Sequence, residues 1–142
     1  MKTFNQMNIF FNGDKTPQIN KAIEIFTDEI KRRSTIKIHQ TTNLKINQTE
    51  TILVTLEETD IQIEDKDLKL ALHTETEDLA PLSTEGYRIV THATKSIILV
   101  TGKDERGVLY GLGKLIRNFE IFPDKIILPH QLKISSSPYT SL

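Results

Sequence analysis

Hydrophobic side chains recur near the start of the chain at intervals of three and four residues. After Pro17 this spacing is kept by five apolar residues, Ile19, Ala22, Ile23, Phe26 and Ile30. It predicts an amphipathic helix over residues 17–33. Thr16 is the expected N-cap, because a threonine hydroxyl accepts a hydrogen bond from a first-turn amide and proline is favoured at the first helical position.

Other segments show the alternation or the continuous apolar character that is typical of strands. They are residues 8–11, 35–40, 51–57, 68–72, 85–92 and 96–102, with KIIL and QLKI as short closing strands. Residues 93–95 predict a hairpin between the last two long strands. The acidic segment 57–67 is predicted to be a solvated hairpin.

A second helical pattern covers residues 104–119, although it contains glycines that disfavour a helix. Its apolar stripe, which predicts packing on a sheet, consists of Val108, Leu112, Leu115, Ile116 and Phe119. Gly107 and Gly111 lie beside this stripe. We expect the missing side chains to let the first helix approach closely, with Ile25 as its contact.

The opposite face of the second helix carries Arg106, Tyr110, Gly113 and Arg117. Tyrosine and arginine are enriched where proteins meet. The face therefore predicts a docking surface. A solvated face with incidental glycines is the alternative interpretation.

The order of elements is strand, helix, several mostly antiparallel strands, helix and strands. Because two helices against one sheet form an economical core, this order predicts an α+β fold. We expect a single mixed, largely antiparallel sheet with two helices packed on one face. The 142 residues fit one domain, which would bury roughly 70% of the surface of the unfolded chain.

Composition and charge argue against several classes of partner. The 18 basic and 19 acidic residues give a net charge of −1, and no basic face favours nucleic acid. No apolar run approaches the ~20 residues of a membrane span. The opening MKTFNQMNIFF lacks the features of a signal peptide. The compartment stays open, and export of the parent protein is expected only where a leader has been removed.

We expect no catalytic, cofactor-binding or metal-binding residues in this chain. The glycines of the second helix do not have the spacing of a phosphate loop or a dinucleotide fingerprint. The four histidines form no zinc motif. Asp104 and Glu105 are expected to be N-terminal acids of the second helix, and not the paired carboxyl groups of a glycosidase.

Two segments carry a resemblance to a known family, EGYRI at 85–89 and SIILVTGKDERGVLYGLGKLIR at 96–117. They resemble the non-catalytic domain that precedes the catalytic barrel in β-N-acetylhexosaminidases and α-glucuronidases (the hexosaminidase-like domain 2). The matching positions are Glu85, Gly86, Tyr87, Gly107, Tyr110, Gly111, Leu115 and Arg117. The segment 132–138 resembles the closing strand before the barrel, but Ser135 to Ser137 lack an aspartate that often precedes the proline.

The resemblance implies a sheet with two roughly parallel helices that lie between the sheet and the barrel. Residues 1–134 would form the accessory domain and 135–142 a linker toward a catalytic barrel absent from this chain. Arg106, Tyr110, Gly113 and Arg117 would dock on that barrel, whereas Glu85, Gly86, Tyr87, Gly107 and Gly111 would be structural. The chain itself would be no enzyme, because an eightfold barrel needs roughly 250 residues.

Two other functions stay open at this point. A carbohydrate-binding module would need exposed aromatic rings, and the chain has no tryptophan and only three tyrosines. A free-standing interaction domain is the third interpretation. Self-association of the isolated chain through the bare helix face is a further expectation, because exposed apolar surface favours association.

Overall fold

The computed structural model describes residues 1–44 and 49–136. Within these residues the chain forms nine strands and three helices. In chain order they are β1 (Lys2–Phe4), β2 (Gln6–Asn12), α1 (Pro17–Arg33), β3 (Lys37–Gln40), β4 (Glu50–Leu56), α2 (Lys66–Thr76), β5 (Tyr87–Thr91), β6 (Ile97–Gly102), α3 (Glu105–Asn118), β7 (Glu120–Ile121), β8 (Ile126–Leu128) and β9 (Lys133–Ser136).

The strands form a six-stranded mixed sheet in the order β3-β2-β4-β6-β5-β9 and a small antiparallel sheet in the order β1-β8-β7. In the larger sheet β3, β2, β4 and β6 run parallel to one another. Strand β5 runs in the opposite direction and pairs antiparallel with both β6 and β9. The α+β class and the mixed sheet are confirmed. The expectation of a single, largely antiparallel sheet is wrong, because α1 and α2 provide the long crossovers that parallel neighbours require.

Helix α1 has the predicted bounds and the predicted cap. The amide of Ile19 donates to the Thr16 hydroxyl at 3.2 Å, and Pro17 occupies the first helical position. The five apolar residues of its stripe are all buried. Local spacing and capping chemistry therefore determine this element.

Helix α2 replaces the strand expected at 68–72. Leu68 and Leu72 are buried, whereas Leu70 is 65% exposed, so the contacts follow the four-residue spacing of a helix. Asp65 caps the helix by accepting the amide of Leu68 at 3.1 Å. The acidic segment 57–67 is accordingly a loop and a helix start, and the predicted hairpin is wrong.

The helices cover both faces of the larger sheet. On one face α1 and α3 pack against the buried apolar residues of β2, β4, β5 and β6. On the other face α2 packs with Leu53, Val90 and Leu99. Both α1 and α3 begin at the carboxyl ends of parallel strands, and the Thr16 hydroxyl donates to Glu105 across their first turns. The two helices on one face therefore run in the same direction, as expected.

The small sheet closes one end of the core that α1 and α3 share. Phe4 of β1 meets Phe119 edge to face at 5.8 Å between ring centroids. Lys2 of β1 reaches β4, where its ammonium lies 3.0 Å from the Glu50 carboxylate. Burial raises the pKa of Glu50, and the charge of Lys2 opposes that shift.

Candidate functional site

The start of α3 is tied to the turn that precedes β5. One oxygen of Asp104 accepts the amide of Gly107 at 2.9 Å and caps α3. The other accepts the amide of Glu85 at 2.9 Å. Glu85 has a φ of 63°, a conformation that is uncommon outside glycine. The predicted role of Asp104 at the helix N-terminus is confirmed, and the same carboxylate also holds the turn.

A second bond from α3 holds the same turn. Arg106 donates to the Glu85 carboxylate at 2.8 Å, and the Glu85 side chain is 11% exposed whereas that of Arg106 is 72% exposed. Arg106, expected on the docking face, is therefore engaged inside the domain. It lies at the edge of the exposed face of α3 and braces the Glu-Gly-Tyr turn.

The structural glycines of α3 face the sheet. A methyl group at Gly107 would lie 2.2 Å from the carbonyl oxygen of Gly86, and one at Gly111 would lie 3.2 Å from Cβ of Tyr87. Both positions therefore let α3 approach β5. The expectation that Gly107 and Gly111 serve a close contact with α1 is wrong. The backbone of Gly86 lies against Gly107, and the side chains of Val100 and Tyr87 lie against Gly111.

The outward side of α1 and α3 forms a shallow surface that we call the outer groove. Two adjoining depressions of about 400 and 340 Å³ share Leu109, Gly113 and Arg117. The outer groove is defined by Ile25, Leu109, Tyr110, Gly113, Ile116 and Arg117. Ile25 is 46% exposed and Tyr110 is 40% exposed. The structure thus joins Tyr110, Gly113 and Arg117, as the helical wheel predicts, and sets Arg106 at the margin.

Gly113 is the low point between the two depressions. A methyl group placed there would meet only the end of the Arg117 side chain, at 3.6 Å. Because a glycine in a helix interior costs about 1 kcal/mol against alanine, a contact within the described residues would be the ordinary explanation for it. Unlike Gly107 and Gly111, Gly113 has only this ordinary van der Waals contact with the flexible end of Arg117.

Sequence reasoning missed three contributors to the outer groove. Ile25 was expected to pack against glycine, and it is exposed instead. Ile116 packs against the core, as the predicted stripe requires, and also lines the groove. Leu109, which neither predicted face includes, does the same, and both side chains are half-buried. The two residues on α3 could have been found from their spacing, because positions 109, 113 and 116 are four and three residues apart and therefore lie along the same flank of the helix.

A second cavity, of about 540 Å³, lies between α2 and the 57–63 loop. The carboxylate of Glu57 at its edge accepts the amide of Leu82 at 2.8 Å and pairs with Lys103 and Arg88 at 3.3 and 3.5 Å. Hydrogen bonds to Glu57 and Glu58 raise the pKa of Lys103. These contacts join the loop to β5 and β6, so Glu57 has a structural role.

Across 1–44 and 49–136, no three histidine or carboxylate side chains converge in a way that could hold a metal ion. No helix in those ranges has the length and apolar character to cross a membrane.

Comparison with known proteins places the chain among glycoside hydrolase domains. Residues 7–115 match the family described as "Glycosyl hydrolase family 67 N-terminus". No curated protein sequence matches the chain. The family match confirms the resemblance that the motifs around Glu85 and in α3 predict.

Several solved structures share the fold. CpGH84D aligns with a TM-score of 0.55 and 16% identity over 92% of this chain and 19% of its own. An inactive mutant of a GH20 exo-β-N-acetylglucosaminidase from Vibrio harveyi aligns with a TM-score of 0.54 and 12% identity. The alignment covers 94% of this chain and 16% of that protein. A GH138 enzyme targeting pectin rhamnogalacturonan II aligns with a TM-score of 0.52 and 23% identity. The alignment covers 79% of this chain and 13% of that protein. The chain therefore spans less than a fifth of each of these proteins.

Proposed function

The chain belongs to the glycosyl hydrolase family 67 N-terminus family, and from that membership we propose that it is a non-catalytic accessory domain. In this proposal it docks on a downstream (β/α)8 catalytic barrel of the parent glycoside hydrolase and supports it. The docking surface is the outer groove. The parent enzyme is of the hexosaminidase or α-glucuronidase type.

The observation that carries this proposal is Gly113. Nothing among the described residues occupies the space where its side chain would be, so the glycine keeps open a path across α3 that a neighbouring domain can fill. Ile25 and Tyr110, two of the exposed large hydrophobic side chains, border the same path. Burial of such side chains by a partner supplies the favourable free energy of docking.

The position of β9 supports a partner that follows in the same chain. Ser136 at the end of β9 lines the depression that contains Tyr110 and Gly113. A polypeptide continuing from Ser136 therefore starts beside the outer groove. Tethering gives such a partner a high effective concentration at this surface, which favours it over a partner captured from solution.

The test replaces an exposed aromatic ring in the intact parent hydrolase. Tyr110→Ala is expected to lower the thermal unfolding midpoint of the intact enzyme by about 2–4 °C, because docking couples the two domains and a lost aromatic contact weakens that coupling. The matched control is Phe122→Ala, since Phe122 is 39% exposed, against 40% for Tyr110, but lies in the turn between β7 and β8. Differential scanning calorimetry measures both midpoints.

Equal midpoints for the two variants would contradict docking through the outer groove. Activity assays separate the remaining alternatives. The 142-residue chain is expected to leave aryl N-acetylhexosaminides and aryl glucuronides intact, and the intact parent to hydrolyse one of them, which assigns its type. Saturable binding of chitin or xylan oligosaccharides by the isolated chain, abolished in Tyr110→Ala, would favour a carbohydrate-binding module instead.

A further inference from the structure

Arg117 differs from the other arginines of the chain in its charge environment. Four arginines pair with glutamates, namely Arg32 and Arg33 with Glu29, Arg88 with Glu57, and Arg106 with Glu85. Arg117 is exposed and makes no ion pair within residues 1–44 and 49–136. Its guanidinium lies beside Gly113, at the point where the two depressions of the outer groove join.

A docked partner would take water away from this guanidinium. Leu109 and Ile116 line the same depression as Arg117, so a domain that covers them also covers Arg117. The carboxylate of Glu29 at this depression already pairs with Arg32 and Arg33 of its own helix. An arginine that loses its hydration without gaining an anion destabilises the complex. A planar guanidinium matches a carboxylate with two parallel hydrogen bonds, which strengthen where water is excluded.

We propose that the catalytic domain of the parent hydrolase presents an aspartate or glutamate carboxylate to Arg117, flanked by apolar side chains that cover Leu109 and Ile116. This inference rests on the docking function proposed above and names the chemistry of the docked surface. Arg117 thereby sets the register of docking as well as its strength, since like charge at the facing position would be repelled.

The experiment measures the thermal unfolding midpoints of two charge-removing variants, each made in the isolated chain and in the intact parent hydrolase. Arg117→Gln and the control Arg32→Gln each remove one exposed arginine, and Arg32 lies at the end of α1 without lining the groove. In the 142-residue chain both variants are expected to keep the wild-type unfolding midpoint. In the intact parent hydrolase Arg117→Gln lowers the midpoint by about 2–4 °C, Arg117→Lys lowers it less, and Arg32→Gln leaves it unchanged.

Salt gives an independent readout, because exposed charge interactions weaken as ionic strength rises. Because the docked partner excludes water from the Arg117 pair, and buried pairs are screened much less than exposed ones, the difference between wild type and Arg117→Gln in the intact enzyme should be largely retained in 1 M NaCl, where the Debye length is ~3 Å. A difference that vanishes there would mean that Arg117 acts as an exposed charge and would contradict the covered pair. The difference caused by Tyr110→Ala should persist there, since burial of an aromatic ring does not depend on charge.

The outcomes separate this inference from the proposed function. If Tyr110→Ala weakens coupling but Arg117→Gln equals Arg32→Gln, the carboxylate partner is wrong and the docking function stands. If neither Tyr110→Ala nor Arg117→Gln lowers the midpoint, both are wrong. A dimer of the 142-residue chain that Arg117→Gln dissociates, measured by light scattering, would make a second copy the occupant and overturn the inference.

Discussion

Gly111 and Gly113 lie two positions apart on α3, and their surroundings are opposite. A methyl group at Gly111 would meet Val100 at 3.0 Å and Tyr87 at 3.2 Å, whereas one at Gly113 would meet only the end of the Arg117 side chain, at 3.6 Å. The domain's own packing therefore explains the first glycine. It does not explain the second, and the proposed docking side of the helix rests on this difference.

The contrast extends along the whole of α3. Its inner side carries Gly107, Val108, Gly111, Leu112 and Leu115, all buried against the sheet and α1. Its outer side combines an exposed tyrosine, an arginine without an ion pair among the described residues, and a glycine at which an added methyl group would meet only that arginine. Under the proposed function, the outer side of α3 is the side that the catalytic domain would cover.

The largest expected effect tests the inner side. Gly107→Ala places a methyl group 2.2 Å from the Gly86 carbonyl oxygen, and backbone on both sides leaves little room to yield. We expect the free energy of unfolding to fall by about 3 kcal/mol or more, measured by urea denaturation of the isolated chain. A loss below about 1 kcal/mol would show that α3 does not need this close approach.

A smaller effect is expected where α3 is tied to the β5 turn. Asp104→Ala removes acceptors from the amides of Gly107 and Glu85 and should cost about 2–3 kcal/mol. Asp65→Ala is the matched control, because Asp65 caps α2 through the single amide of Leu68 and should cost about 1 kcal/mol. Equal losses by urea denaturation would mean that the bond to Glu85 contributes nothing.

The sequence alone predicts several elements of the fold and the residues that lie together on the outer side of α3. The bounds of α1, its Thr16 cap and the hairpin joining β5 to β6 follow from local spacing and turn length. The helical wheel correctly groups Tyr110, Gly113 and Arg117. These features depend only on neighbours close in the chain.

The misses have a common physical origin in long-range contacts. Three leucines at 68, 70 and 72 fit a strand or a helix, and only the burial of Leu68 and Leu72 decides between them. Parallel pairing of β2 with β4 depends on which distant segments meet. The wheel gives the direction in which Gly107 and Gly111 point, but the turn they contact approaches from another part of the chain.

The smallest expected effect gives the most direct test of the outer side of α3. The change in stability is expected to have opposite signs in the isolated chain and in the intact parent hydrolase. Gly113→Ala should stabilise the isolated 142-residue chain by up to about 1 kcal/mol, because alanine favours the helix and meets no obstruction. In the intact parent hydrolase the same methyl group should lower the thermal unfolding midpoint, because it occupies the space of the docked barrel. Stabilisation of both proteins by Gly113→Ala would contradict docking across the outer groove.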